Sequence, residues 1–101
     1  MIGFIGGGNM AEALIKGMTT EGMRDILVSE PREERRQELV RHYGIRATHF
    51  NLEVAASCGI IILAVKPQSM EAVLDEISSA ISNDKTIRLD RRVINRDQYQ
   101  P

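Results

Sequence analysis

Ile2-Gly3-Phe4-Ile5-Gly6-Gly7-Gly8-Asn9-Met10-Ala11 opens the chain, and the rest of the sequence is read outward from it. Ile2–Ile5 has the apolar character of a short buried strand, and three glycines close it. Beyond them Ala11, Leu14, Ile15 and Met18 recur at i, i+3, i+4 and i+7, which predicts an amphipathic helix. Strand, glycine turn and helix follow one another without a spare residue.

Within this unit the spacing is G-x-G-x-x-A, and each small residue has a mechanical role. Gly6 permits the tight turn out of the strand, Gly8 lets backbone approach a ligand closely, and Ala11 lets helix and sheet pack together. Amide groups at the start of the helix then face a diphosphate, with the positive end of the helix dipole behind them. Three adjacent glycines alone also fit a plain flexible turn. The strand before, the helix after and a second strand at the expected distance favour a dinucleotide loop, holding NADPH or NADH by its pyrophosphate.

Further along, Gly22 closes the first helix and Ile26-Leu27-Val28 reads as a second buried strand. Pro31 fits the first turn of a second helix over Arg32–His42, capped by Gly44, with Leu39, Val40 and Tyr43 facing inward. Arg35 and Arg36 read as part of its solvated face. A third strand is predicted over Ile45–Thr48, then a short helix from Asn51 to Ser57. Gly59 releases the chain into Ile60-Ile61-Ile62-Leu63-Ala64-Val65, a run that suits a strand buried on both faces. The last helix carries Met70, Val73, Leu74, Ile77 and Ile81 on one stripe. Strands alternating with helices specify an α/β fold: a Rossmann-type, doubly wound parallel sheet of about four to five strands, incomplete, with helices on both faces.

Two more segments fall where such a sheet binds its ligand. Ser29-Glu30-Pro31-Arg32 lies eighteen to nineteen residues beyond Ala11, about where the adenosine ribose is read. Glu30 favours the free 2′-hydroxyl of NADH, while Ser29 and Arg32 favour the 2′-phosphate of NADPH. Glu33 and Glu34 fit an acidic first turn, as Glu30 does in part, and the preference stays open. Ala64-Val65-Lys66-Pro67 leaves the sheet at a strand's carboxyl end, next to the ribose or nicotinamide, although a strand end with a solvated lysine has the same sequence.

Bulk properties narrow the classes. The 101 residues allow one small domain, and a net charge of −1 gives no global field for nucleic acid or an anionic membrane. A single cysteine, Cys58, allows no internal disulfide, and beside a buried strand it reads as a small core residue. His42 and His49 lie in no metal-ligand pattern. Met10, Met18, Met23 and Met70 read mainly as packing. No targeting segment or apolar run long enough for a bilayer is seen, so the cytoplasm is expected.

Taken together these residues resemble the N-terminal part of pyrroline-5-carboxylate reductase. The likeness lies in Ile2–Met18 and in Ile60-Ile-Ile-Leu-Ala-Val-Lys-Pro-Gln68, and extends over about residues 2–87. It implies reduction of the cyclic imine pyrroline-5-carboxylate to proline, hydride passing from the nicotinamide to the imine carbon and a proton to the ring nitrogen. It also implies that Ile5, Gly6, Gly7, Gly8, Asn9 and Met10 bind the pyrophosphate and neighbouring groups, and that Ser29, Glu30 and Arg32 sit at the adenosine ribose. Asn51, by position alone a helix cap, corresponds in the family to a cofactor-contacting asparagine. Ala64, Val65, Lys66 and Pro67 run beside the nicotinamide half.

The resemblance also has an edge. Family members continue into a further strand and then a helical domain with the imine site and dimer interface. Here Thr86-Ile87 is followed by Arg-Leu-Asp-Arg-Arg. Residues 1–87 are therefore expected to be the cofactor domain and 88–101 an atypical tail, with no catalytic residue assigned in this chain. Codons CGT-CTC-GAT-CGC-CGC for Arg88–Arg92, read one base later, give Val-Ser-Ile-Ala, which suggests out-of-frame sequence in a truncated reductase. Leu89 and Val93 permit an edge strand, but the charge density is wrong for a buried one. On this basis the isolated chain is expected to turn over little or no imine, to leave apolar surface around Ile61, Leu63 and Ile81 partly uncovered, and so to self-associate. A non-catalytic dinucleotide module is the alternative. A β-hydroxyacid-dehydrogenase-like or F420-linked reductase shares the glycine loop but is not expected to carry Ala-Val-Lys-Pro-Gln.

Overall fold

The computed structural model describes residues 1–81 and the backbone of Thr86–Leu89 and Arg92–Asn95. In chain order the elements are β1 (Ile2–Ile5), α1 (Asn9–Thr20), β2 (Ile26–Ser29), α2 (Glu33–Tyr43), β3 (Arg46–Thr48), α3 (Asn51–Ser57), β4 (Ile60–Leu63), α4 (Pro67–Ile77), a 3₁₀ turn (Ser78–Ala80), β5 (Thr86–Leu89) and β6 (Arg92–Asn95). The sheet order is β3-β2-β1-β4-β5-β6. The first five strands are parallel and β6 returns antiparallel to β5, with Arg88 opposite Val93. This is the α/β, Rossmann-type arrangement expected. From β1 the chain first builds outward through β2 and β3, then crosses to β4 on the other side, which creates a crevice at the carboxyl ends of β1 and β4.

Alternation along the strands explains why both faces are covered. Phe4, Ile26, Val28 and Ile62 join Ala11, Ile15 and Leu39 in one buried cluster, under α1 and α2. Ile5, Leu27, Ile61 and Leu63 join Val54, Cys58, Leu74 and Ile77 in the other, under α3 and α4. A Cβ on Gly3 would stand 2.4 Å from Val54 Cγ1 and 2.7 Å from Cys58 Sγ, so α3 lies directly on the backbone of β1. Gly22 (φ 87°) and Gly44 (φ 67°) end α1 and α2 as the sequence suggested.

Several expectations are corrected. On α1 the buried line is Ala11, Ile15 and Thr19, an i, i+4, i+8 row, and Leu14 on its flank is exposed. Thr19 tolerates burial because its hydroxyl donates to the Ile15 carbonyl at 2.9 Å. On α2, Leu39 is buried and Tyr43 half-buried, but Val40, one step around the helix, is exposed. Pro31 precedes α2, which starts at Glu33 after an Arg32 N-cap. Met10 and Met23 are exposed and fill no core space. Ile61, Leu63 and Ile81 are buried beneath α3, α4 and the 3₁₀ turn, so the bare surface expected to drive self-association is covered.

The parallel part of the sheet has five strands, within the four to five expected, and β6 adds an antiparallel sixth. Leu89 ends β5 and Val93 lies in β6, the antiparallel strand at the edge of the sheet. Charge-rich sequence suits such an edge. Residues 90, 91 and 96–101 of the atypical tail lie outside the described residues. No helix among the described residues is long and apolar enough to cross a membrane.

Candidate dinucleotide site

At the mouth of the crevice the glycine loop is wedged between the ends of β2 and β4. Gly6 has φ 100°, and its amide donates to the Ser29 carbonyl at 2.9 Å. On its other side a Cβ would meet the Ala64 carbonyl oxygen at 2.4 Å. Ala64 is fixed in turn by its own amide, which donates to the Ile5 carbonyl at 2.9 Å. Gly6, Ile5, Ser29 and Ala64 thus meet where the spacing placed them. The Ile5 side chain is buried in the core, so only its main chain borders the crevice.

Gly8 forms the N-cap of α1 with extended backbone and no side-chain cap, and its carbonyl accepts the first helical bond, from Glu12 N–H at 3.0 Å. The amides of Asn9, Met10 and Ala11 therefore precede the helical ladder. Nothing lies within 4 Å of the place a Gly8 Cβ would occupy. Asn9 and Met10 are exposed beside it, while Ala11 is fully buried against the sheet. Uncapped amides, the positive helix end and open space over Gly8 are together what could hold an anion such as a diphosphate.

The residues expected at the ribose are more committed than the sequence suggests. Glu30 is buried, and both of its carboxylate oxygens are already engaged. Oε1 accepts from Gly7 N–H at 3.1 Å and from Arg32 Nη2 at 3.3 Å; Oε2 accepts from Arg32 N–H and Nε at 2.9 Å each. Burial alone would push the carboxyl up, but the Arg32 guanidinium and the two amides outweigh it and hold the group below its ordinary range. Pairing with Glu30 raises Arg32 correspondingly, though its side chain is 66% exposed.

Because the folded carboxylate titrates below its unfolded value, its contribution to stability is complete above the ordinary carboxylate range and is lost as pH falls through the folded value. Glu30→Gln is expected to cost about 1–3 kcal/mol at neutral pH. Thermal melts of both proteins should show that gap closing on acidification; a gap independent of pH would contradict this role for Glu30.

Asn51 is the first residue of α3, and its side chain does not cap the helix. Instead Oδ1 accepts from Ser29 Oγ at 2.7 Å and Nδ2 donates to Glu76 Oε1 at 2.9 Å. Thr48 serves the helix start instead, its hydroxyl accepting from Phe50 N–H and donating to Glu53. Asn51 and Ser29 are thereby joined at the end of β2. Ala64 and Val65 lie past the end of β4, half-buried, with exposed Lys66 as N-cap and exposed Pro67 as first residue of α4. The expected strand thus stops two residues early, at Leu63, and releases this segment toward the crevice.

Sequence reasoning missed Arg35. Its guanidinium is only 15% exposed; Nε donates to the Gly7 carbonyl at 2.6 Å and Nη2 to the Gly8 carbonyl at 3.3 Å. Nη2 also donates to Glu12 at 2.7 Å, and Nη1 pairs with Glu38. Tyr43 OH donates to the other Glu12 oxygen at 2.6 Å. The Arg35–Glu38 spacing is visible as an i,i+3 pair, but its reach across to α1 has no local signal. Arg36, likewise expected to be solvated, donates to the Glu30 and Pro31 carbonyls at 2.7 and 2.9 Å and meets His49 Nδ1 at 3.3 Å.

Known proteins place this chain in a family. Pyrroline-5-carboxylate reductase of Pseudomonas aeruginosa is 35% identical over 88 residues, which is 85% of this chain and 32% of that protein. The structure of a pyrroline-5-carboxylate reductase from Coxiella burnetii superposes with a TM-score of 0.76 at 30% identity, covering 80% of this chain and 31% of the other. Plasmodium falciparum pyrroline carboxylate reductase with NADP bound gives 0.73 at 26% identity, over 87% of this chain and 32% of that one. The chain spans about a third of the length of the curated relatives it matches. Residues 1–87 match the family model described as NADP oxidoreductase coenzyme F420-dependent, and the chain belongs to that family.

Proposed function

We propose that this chain binds a nicotinamide dinucleotide, NADPH in preference to NADH, as the cofactor-holding part of a reductase for pyrroline-5-carboxylate. The observation that carries this is the uncapped start of α1 beside the open position at Gly8, set at the crevice between β1 and β4. Residues 1–87 make up the cofactor module and 88–101 a tail to it. Gly6, Gly7, Gly8, Asn9 and Met10, with the main chain of Ile5, hold the pyrophosphate. Ser29, Glu30, Arg32 and Asn51 line the adenosine ribose. Ala64, Val65, Lys66 and Pro67 border the nicotinamide half.

The preference for NADPH follows from Glu30. A carboxylate whose oxygens already accept four donors has little left for a ribose hydroxyl, and its charge is matched by Arg32. Arg36, whose guanidinium donates to the Glu30 and Pro31 carbonyls, adds a second cation beside Arg32, so a 2′-phosphate meets a basic edge. When bound, the reduced nicotinamide supplies hydride to the carbon of a C=N bond. This chain's residues hold the dinucleotide and orient it across the crevice.

The substrate assignment rests on the reductases of Pseudomonas aeruginosa and Coxiella burnetii, to which the chain is similar. Calorimetric titration tests the cofactor assignment, with NADPH expected to bind about tenfold or more tighter than NADH. Binding of neither would overturn it, and tighter NADH binding would overturn the preference. Nicotinamide absorbance with pyrroline-5-carboxylate present then shows whether this chain performs the reduction or only holds its cofactor.

A further inference from the structure

We propose that Arg35 is a positioning residue for diphosphate binding: from behind the glycine loop it fixes the two peptide planes whose amides face the ligand. The inference deepens the dinucleotide assignment above and rests on it. In a planar trans peptide the C=O and the following N–H point in opposite directions. Pinning the Gly7 carbonyl at 2.6 Å turns the Gly8 N–H away from Arg35, and holding the Gly8 carbonyl at 3.3 Å does the same for the Asn9 N–H. Nε and Nη2 share one edge of the guanidinium, so a single rigid fork sets both planes.

The same side chain removes an obstacle. Glu12 lies in the first turn of α1, where an unpaired carboxylate repels a diphosphate. The Tyr43 hydroxyl and then Arg35 hold Glu12 below the ordinary carboxylate range, so it stays ionised, and Arg35 supplies the compensating charge at 2.7 Å. Burial works against the Arg35 charge, but its bonds to Glu12 and Glu38 outweigh that and keep it protonated. Loop geometry and loop electrostatics therefore depend on one side chain of a neighbouring helix.

The test compares two ligands on the 101-residue chain: NADPH, which has the diphosphate, and adenosine 2′-monophosphate, which lacks it. Arg35→Met is expected to weaken NADPH about tenfold or more, with 2′-monophosphate affinity unchanged. Arg35→Lys keeps the charge but cannot fork across two carbonyls, so it should restore binding only in part. Equal NADPH affinity in wild type and Arg35→Met overturns the proposal, as does an equal loss for both ligands, which marks a merely structural residue. If Arg35→Met does not fold, Arg35→Lys carries the same comparison: NADPH weakened with 2′-monophosphate retained supports it, and NADPH affinity equal to wild type overturns it. Wild type that binds NADPH while the variants bind equally well rejects this inference alone; wild type that binds no dinucleotide rejects the underlying assignment too.

Discussion

Gly6→Ala is expected to destabilise the fold by about 3 kcal/mol or more, because it violates two constraints at once. At φ 100° an L-residue is strained, and the added carbon lands 2.4 Å from the Ala64 carbonyl oxygen and 3.0 Å from its carbon. These are backbone atoms, tied to β1 by the Ala64–Ile5 hydrogen bond, so they cannot rotate away as a side chain would. Relief requires β1 and β4 to separate at the mouth, and that opens the crevice itself. Against the roughly 5–15 kcal/mol available to a small domain, the loss is severe. Chemical denaturation of wild type and variant measures it; a difference under about 0.5 kcal/mol contradicts the geometry described for the turn.

Two residues later the expected result reverses. Gly8→Val should leave the fold nearly intact, within about 1 kcal/mol, the cost of a poorer N-cap. Its backbone is extended, which any residue adopts, and a Cβ added there meets nothing within 4 Å. That emptiness is the space a diphosphate needs. Branched carbon there keeps phosphate oxygens from the amides, and losing two charge-assisted hydrogen bonds weakens NADPH by about a hundredfold or more. Calorimetry beside a thermal melt separates the effects. Strong binding by a folded Gly8→Val protein contradicts the placement of the ligand, whereas an unfolded variant contradicts the open space.

The contrast between Gly6 and Gly8 also shows what a sequence discloses. Both are drawn from the same motif: Gly6 makes the tight turn expected of it, and Gly8 stands over the open space that a close approach requires, because each role imposes local conditions that few residues meet. The order of elements was equally legible. Ile60–Leu63 has no polar position, which requires cover on both faces, and the clusters on either side of the sheet supply it. Flank positions were not: Leu14 and Val40 sit one step off the buried row, where a period of 3.6 residues leaves either orientation open.

Polar side chains were least legible where their partners are remote in sequence. Asn51 looks like a cap, yet Ser29 and Glu76 claim it, and only the packing of α3 and α4 beside β2 brings them together. Glu30 looks like a free acceptor, but the loop folds back so that Gly7 N–H reaches it. Arg35 stands in a run of charges that resembles a solvated face, and no local pattern records that α1 packs close enough to be gripped. Hydrophobic periodicity specifies which surfaces meet; it leaves unspecified which charged groups the meeting brings into register.

The central claim is that main-chain amides at the start of α1 hold the diphosphate. Amide ¹H–¹⁵N spectra recorded while NADPH is added test it most directly. The largest shifts should fall on Gly8, Asn9, Met10 and Ala11, with smaller ones at Ser29–Arg32 and Ala64–Lys66. Shifts confined to the outer rim around His49–Leu52, with the α1 amides unmoved at saturation, would contradict it.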